Sequence, residues 1–299
     1  MRLNQTHFGH TRSRSLPSRV AALALMASIA HAQYPGPRDL GVLQTDQAKE
    51  ASGIAASRVS DTVLWTHNDS GDEPRIFAIS TTGALLGTFH LPATARDWED
   101  IAAGPGPEAG KNYLYVADIG DNLGLFSVKE VYRLEEPSLS RLGADRTATV
   151  TRIDTLRFRY PDGERDAEAL MVDPRTRDLY VITKREDRVH VYLGKYPQST
   201  QQVQTLVAVD TLDLHKVVAA DISPSGDRIL AKTYDSVYLW ERGPDQSIAQ
   251  ALRMPPTTLP YVREPQGEGL CWNRAGTGYF TLSERKKKKK PQHLYFYGK

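Results

Sequence analysis

Short apolar runs separated by turn-forming residues recur through residues 34–299. Runs of this kind, bounded by clusters of Gly, Pro, Asn, Asp and Ser, are typical of β-strands joined by tight turns. The runs fall into a repeated cycle of four strands, seen most clearly over residues 169–209. The first strand of each cycle carries a similar motif, found at residues 50–55, 96–103, 166–171, 218–223 and 266–271.

The five motifs can be aligned on the aliphatic residue that they share. The position two residues before it is Ser52, Glu99, Glu168, Ala220 and Glu268, at spacings of 47, 69, 52 and 48 residues. A period of about 40–50 residues built from short strands is the signature of propeller blades. The sequence therefore predicts an all-β fold, a five-bladed β-propeller.

Closure of the ring follows from the two ends of the pattern. The fifth cycle lacks a fourth strand, and residues 39–43 form a spare one. Pairing the two would remove both open edges, which all-β proteins must protect. An open solenoid or a sandwich is the alternative architecture. A six-bladed ring would need an extra blade in residues 135–160, where an insertion precedes the outer strand predicted at 148–159.

The first 32 residues differ from the rest. They hold four arginines and no acidic residue, then an apolar run at 20–30 and the sequence Ala-His-Ala. This order is that of a secretory signal, with cleavage after Ala32 and a mature propeller domain at 33–299. The run is about half of the ~20 residues that a membrane span requires, so we expect a secreted or periplasmic protein with no stable membrane insertion.

Charge gives no indication of nucleic-acid binding. Removing the four arginines from the 38 basic residues leaves 34 against 36 acidic ones. Cys271 is the only cysteine, so an intrachain disulfide is excluded. Cys271 lies within a strand pattern, and we expect it in the core.

The aligned position predicts a ring of carboxylates in the channel, because alternate residues of the innermost strands face the axis. Like charges in a narrow channel raise one another's pKa unless something compensates them. A cation held by Ser52, Glu99, Glu168 and Glu268 is one answer, and oxygen ligands suit Ca²⁺ or, as second choice, Mg²⁺. A lysine or arginine reaching in, or backbone amides of the next blade, are the alternatives. Asp100 and Asp221 follow the ring and should join blades.

A second polar register follows the second strand of each cycle. It predicts a ligand-binding mouth for a small molecule or an anion, with Asx turns and surface solvation as the plain alternative. The candidate residues are Asn68, Asp69, Arg75, Asp118, Asp121, Lys184, Arg185, Tyr234 and Glu284.

Nucleophile motifs are absent from the sequence: there is no G-x-S-x-G elbow and no H-E-x-x-H. His67 is the one histidine next to the predicted mouth, where it could act as a base. The lysine run at 286–290 is typical of a solvated hairpin tip, and contact with a polyanion is its alternative reading.

The motifs S-G-I, W-E-D-I-A, A-E-A-L and G-E-G-L, with the turns N-D-S-G-D and D-I-G-D-N, resemble those of SdiA-regulated-type and phytase-esterase-like bacterial propellers. The resemblance covers nearly the whole mature chain. It implies a secreted or periplasmic propeller of five or six blades and a calcium in the central region, carried here to Glu99, Glu168 and Glu268. It does not define an activity.

Three functions fit these observations. We favour a monomeric, exported binding module with a cation-centred or carboxylate-stapled channel. The first alternative is a metal-dependent hydrolase of phosphate or carboxylic esters, in which the cation would activate water. The second is an adhesive or scaffold protein that uses the insertion and the lysine run.

Overall fold

The computed structural model describes Met1, residues 34–285 and residues 291–298. Within them, 22 strands form five small sheets. The strands of the first three blades and the one before them are β1 (Arg38–Val42), β2 (Ala51–Ala56), β3 (Val63–Asn68), β4 (Arg75–Ser80), β5 (Leu85–His90), β6 (Trp98–Pro105), β7 (Asn112–Asp118), β8 (Lys129–Glu135), β9 (Thr147–Thr149), β10 (Asp154–Arg159), β11 (Ala167–Val172), β12 (Leu179–Thr183), β13 (His190–Gly194), β14 (Gln204–Thr205) and β15 (Val207–Thr211). Those of the last two are β16 (Val217–Ile222), β17 (Arg228–Thr233), β18 (Val237–Glu241), β19 (Thr257–Leu259), β20 (Gly267–Trp272), β21 (Gly278–Ser283) and β22 (His293–Gly298).

The sheets are the blades of a five-bladed β-propeller, as predicted. The innermost strands β2, β6, β11, β16 and β20 each contact the next, and β20 contacts β2, so the ring is closed. The spare N-terminal strand completes blade five: β1 pairs antiparallel with β22, with Asp39 opposite Tyr295. Residues 135–160 hold the 3₁₀ turn Leu139–Arg141 and two strands, and form no sixth blade.

The outer edges differ from the prediction in two blades. The segment predicted as the outer strand of blade two divides: β10 pairs with β8, whereas β9 joins blade one by parallel pairing with β5. The outer segment of blade three divides likewise, since β15 pairs with β13 and β14 with β10 of blade two. Each short strand therefore crosses to the neighbouring blade and covers its edge.

Blade four contains a helix that the pattern did not predict. Helix α1 (Ile248–Leu252) precedes β19. Ser247 caps it, accepting a hydrogen bond from the Gln250 N–H while the Gln250 side chain accepts one from the Ser247 N–H. This reciprocal capping box satisfies two backbone groups at the helix start. Ile248, Ala251 and Leu252 face the core.

The core consists of five clusters of buried apolar residues, one between each pair of neighbouring blades. Between blades one and two, for example, Trp65 meets Phe89 edge-on at 5.4 Å and Trp98 packs in the same cluster. Cys271 is buried between blades five and one, as expected for a core residue. These interfaces hold the innermost strands at fixed positions around the channel.

Two predicted segments, the secretory signal at 1–32 and the lysine run at 286–290, lie outside the residues that can be described, except for Met1. In the described part of the chain, no helix has the length and apolar character needed to cross a membrane.

Candidate functional site

The innermost strands carry a β-bulge near their first residues. The pairing register shifts between Trp98 and Asp100 in β6, between Ala167 and Ala169 in β11, and between Gly267 and Gly269 in β20. The extra residues in these three bulges are Glu99, Glu168 and Glu268. A bulge re-aims the side chain of its extra residue, which is why the glutamates leave the regular ladder together.

The bulge in blade four corrects one position of the alignment. The register in β16 shifts between Val217 and Ala219, so Val218 occupies the place of the glutamates and Ala220 does not. In blade one the shift lies between Ala51 and Ile54, consistent with Ser52 at this level. Blade four therefore provides no oxygen ligand from a side chain here.

The structure brings the three glutamates together, all of them at most 4% exposed. Lys184 Nζ contacts Glu168 Oε1 and lies 3.9 Å from Glu268 Oε1. A carboxylate oxygen of Glu99 lies within 4.8 Å of one from Glu168. Lys184 thus reaches into the group of glutamates and pairs with Glu168. This is the arrangement that the sequence analysis gave as an alternative to a cation.

A second level surrounds the first. Asp69, Lys184 and Glu284 follow the second strands of their blades, and their N–H groups donate to the carbonyls of Glu50, Asp166 and Gln266 at 2.8–3.1 Å. Tyr234 holds the corresponding position after β17. In blade two the corresponding N–H belongs to Gly120, which donates to the Asp97 carbonyl. A Cβ at Gly120 would collide with the carboxylates of Glu99 and Asp97, so glycine makes room for them.

Two carboxylates at this mouth, Asp97 and Asp166, were not among the predicted site residues. Each lies two positions before a ring glutamate, Asp97 before Glu99 and Asp166 before Glu168. Both stand immediately before the first residue of their strands, and the recurrence of an acidic residue at this place in two of the motifs was a usable signal. We name the whole group the acidic mouth: Asp69, Asp97, Glu99, Asp166, Glu168, Glu268 and Glu284, with Lys184.

Burial and mutual repulsion perturb these carboxyl groups. Burial, followed by the charges of Asp69 and Asp97, raises the pKa of Glu99 well above its usual range. Burial raises the pKa of Asp69 to about 6, and burial with the charge of Glu268 raises the pKa of Glu284 to about 9. The pKa of Asp97 is raised as well, by burial and by Asp166 and Asp118. Lys184 and Arg185, which pair with Glu168 and Asp166, leave most of the seven acids without a basic partner.

Two oxygens of the acidic mouth have no hydrogen-bond partner among the described residues. They are Glu168 Oε2 and Glu284 Oε1, both buried. Glu268 Oε1 accepts a hydrogen bond from the Tyr234 hydroxyl at 2.5 Å, and Lys184 Nζ lies 5.5 Å from the Tyr234 ring centre. Unpaired buried polar atoms are rare and costly, and an ion is one of the groups that can satisfy them.

The spacing of the oxygens suits a hard divalent cation. Two sets of three carboxylates, Asp69–Asp97–Glu99 and Glu99–Asp166–Glu168, place their oxygens within 4.8 Å of one another. Oxygens bound to one Ca²⁺ at about 2.3–2.6 Å are separated by at most about 5 Å. Glu99 belongs to both sets. The other two predicted ligands belong to neither set: Glu268 lies 3.9 Å from Lys184, and Ser52 donates its hydroxyl to the Glu99 carbonyl at 2.7 Å.

The remaining predicted mouth residues make internal contacts. Asn68 donates to Gln47 and Asp72, and Arg75 pairs with Asp72 at 2.8 Å. Asp118 accepts hydrogen bonds from the Arg96 and Asp97 N–H groups. The other two are Asp121, which is paired with Lys129 at 2.7 Å, and Arg185, which is paired with Asp166 at 2.5 Å.

His67 is fully buried and not available as a base at the mouth. Its ring packs edge-on against Trp98 at 5.8 Å, and its Nδ1 lies 2.8 Å from the Asn68 carbonyl. Burial lowers the pKa of His67 to about 4. The imidazole is therefore neutral at physiological pH.

Asp100 and Asp221 join blades, as predicted. Asp100 accepts hydrogen bonds from the N–H of Ile101 at 2.8 Å and from that of Leu170 in the next blade at 2.9 Å. Asp221 accepts in the same way from Ile222 and from Trp272 in blade five, both at 2.8 Å. The ring glutamates make no such bonds to backbone amides among the described residues.

Comparisons with known proteins add no functional argument. No protein-family model matches the chain, and no curated protein matches it. Among solved structures, a luciferin-regenerating enzyme is similar at 11% identity and a TM-score of 0.47, over 88% of this chain and 96% of the other. A mitotic checkpoint complex is similar at 12% identity and a TM-score of 0.40, over 82% and 62%. The propeller assignment rests on the sheet topology.

Proposed function

We propose that this protein is an exported propeller that binds a divalent cation at the acidic mouth and uses it to hold a small anionic molecule. Calcium is the first choice and magnesium the second. The observation that carries the proposal is the pair of carboxylate sets that share Glu99, together with Glu168 Oε2, which is buried and has no hydrogen-bond partner among the described residues. A divalent cation would offset part of the negative charge and provide a partner for this oxygen.

The donor set supports calcium over softer metals. Every candidate ligand is a carboxylate, and the buried His67 and Cys271 face away from the group of oxygens into apolar clusters. Hard oxygen donors suit Ca²⁺ and Mg²⁺ rather than zinc or copper. Calcium accepts irregular geometry and six to eight oxygens, whereas Mg²⁺ demands a near-ideal octahedron.

The test is the thermal stability of the mature chain, residues 33–299, with calcium and with a chelator. A ligand that binds only the folded state at 100 times its Kd adds about 2.7 kcal/mol. We expect calcium to raise the Tm of the wild type and not that of Glu168→Gln. Asp61→Asn is the matched control, since Asp61 is an exposed acid in the cavity at the opposite end of the channel. An equal calcium response in Glu168→Gln would contradict the proposed site.

A metal-dependent hydrolase of phosphate or carboxylic esters is the second candidate. It is favoured by the two sets of carboxylates that share Glu99, since these could hold the cation that such a hydrolase requires. A bound cation would polarise an ester oxygen and lower the pKa of water. Ester or phosphoester turnover that a chelator abolishes would favour this candidate; a calcium-dependent Tm without turnover would favour the binding module.

A further inference from the structure

An exposed apolar loop stands beside the acidic mouth. Residues 122–126 connect β7 to β8, and Leu123, Leu125 and Phe126 are 80%, 68% and 37% exposed. The other large apolar residues exposed in the described segments occur singly along the chain. Monomeric proteins rarely expose contiguous apolar side chains without a partner for them. We name this segment the apolar loop.

The apolar loop has a fixed conformation. The Asp121 carboxylate accepts hydrogen bonds from the N–H groups of Leu125 at 2.7 Å and Phe126 at 2.9 Å, and pairs with Lys129 at 2.7 Å. The side chains of this ion pair are 1% and 2% exposed. The Gly124 N–H closes a turn onto the Asp121 carbonyl. These hydrogen bonds and the ion pair therefore hold the loop in a conformation in which Leu123 and Leu125 are exposed to solvent. In that position the two side chains add no buried apolar area to stabilise the fold.

The same bonds attach the apolar loop to the acidic mouth. The Asp121 N–H donates to Asp166 Oδ1 at 2.8 Å, and Asp166 belongs to one of the two candidate sets of metal ligands. Arg185 bridges the two regions by contacting both Asp166 and Asn122. On the other side, the Arg96 guanidinium covers one part of Phe126, 4.1 Å from the ring centre. The apolar surface and the carboxylates form one continuous rim.

We propose that the ligand of the acidic mouth is an amphiphilic organic anion. Its carboxylate or phosphate end would meet the bound cation, and its aliphatic or aromatic part would lie on Leu123, Leu125 and the open edge of Phe126. This inference rests on the proposed function. A small ligand is favoured over a bilayer, because the loop exposes only three large apolar side chains and so offers little area to bury in a membrane interface.

The test is a series of straight-chain carboxylates, from acetate through butanoate and hexanoate to octanoate, titrated by calorimetry into the calcium-saturated mature protein. A fully buried methylene is worth about fourfold in affinity, so contact on one side should give about twofold. We expect octanoate to bind about 16-fold more tightly than butanoate.

A double variant, Leu123→Ser with Leu125→Ser, should keep the calcium response and the acetate affinity but lose the dependence on chain length. Val59→Ser, at a 63% exposed site in the turn between β2 and β3, is the matched control.

The outcomes separate the two proposals. A calcium response with no dependence on chain length in the wild type, or with an unchanged dependence in the double variant, overturns the amphiphilic ligand alone. No calcium response overturns the cation site and the ligand class together. Sedimentation with phosphatidylcholine vesicles that the double variant loses, without a chain-length effect, would assign the apolar loop to membranes and overturn the small-ligand inference.

Discussion

Two levels of the same channel both contain buried carboxylates, and they differ in what satisfies them. At the channel waist, which we define by Asp100 and Asp221, each carboxylate accepts backbone N–H groups on both oxygens, one from its own strand and one from the next blade. At the acidic mouth, one residue away in β6, Glu99 faces Asp69 and Asp97 instead. Adjacent residues of one strand thus serve different purposes.

The difference separates structural from functional acids better than burial or pKa does. Burial raises the pKa of Asp100 and raises that of Asp221 to about 6, just as it raises the pKa of the mouth residues. The partners are what differ: amides at the waist, like charges and unpaired oxygens at the mouth. Buried polar groups with complete hydrogen bonding specify structure, whereas an incomplete set calls for another partner, and the proposed cation would be one.

The largest effect should come from the waist. Asp100→Ala leaves the N–H groups of Ile101 and Leu170 without acceptors in a dry interface between blades. We expect a loss of about 3 kcal/mol in the free energy of unfolding, because a buried donor left unpaired costs its full desolvation. Urea unfolding with and without calcium measures it, and the loss should be equal in both. If calcium restored the lost stability, the waist and the mouth would be energetically coupled.

The next largest effect should come from the mouth, and unlike the effect of Asp100→Ala it should depend on calcium. Glu99 belongs to both candidate metal sets, so Glu99→Gln should abolish the calcium-dependent gain, about 2.7 kcal/mol at 100 times the wild-type Kd. In chelator the variant should be at least as stable as the wild type, because one of several repelling charges is gone. A Glu99→Gln variant as damaged in chelator as Asp100→Ala would place Glu99 among the structural acids.

The sequence predicted the waist and the mouth to different degrees. Five blades and their closure followed from local strand and turn signals, and the repeat predicted Glu99, Glu168 and Glu268. The pairing of Thr147–Thr149 with a strand of another blade is a non-local parallel contact that no local pattern encodes. Ala220 was wrongly aligned with the glutamates in place of Val218, because the aliphatic residue used for the alignment, Ile222, lies two positions further along in blade four.

Pairing between side chains was the least predictable feature. The sequence suggested Lys184 and Arg185 as anion ligands, yet the structure pairs them with Glu168 and Asp166. Which acid a long basic side chain reaches depends on distances between blades, and these are set by packing rather than by the strand pattern. Asp97 and Asp166 could have been found from the repeat, since each precedes a ring glutamate by two residues.

A pH dependence of stability should belong to the mouth alone. Glu284 faces Glu268, Asp69 and Glu50, and its pKa is raised to about 9 in the folded protein against about 4.3 when unfolded. Between these values the folded chain keeps a proton that the unfolded chain has lost, so this group's contribution to stability is complete below about pH 4 and lost as the pH rises toward 9. In chelator, Glu284→Gln should remove most of this fall in the free energy of unfolding between pH 5 and 9, measured by urea unfolding against the wild type. Asp61→Asn should retain the fall, because its exposed carboxylate lies at the other end of the channel. If the two variants and the wild type show the same slope, the mouth carboxyls are not sharing protons, and the contrast with the waist would lose its electrostatic basis.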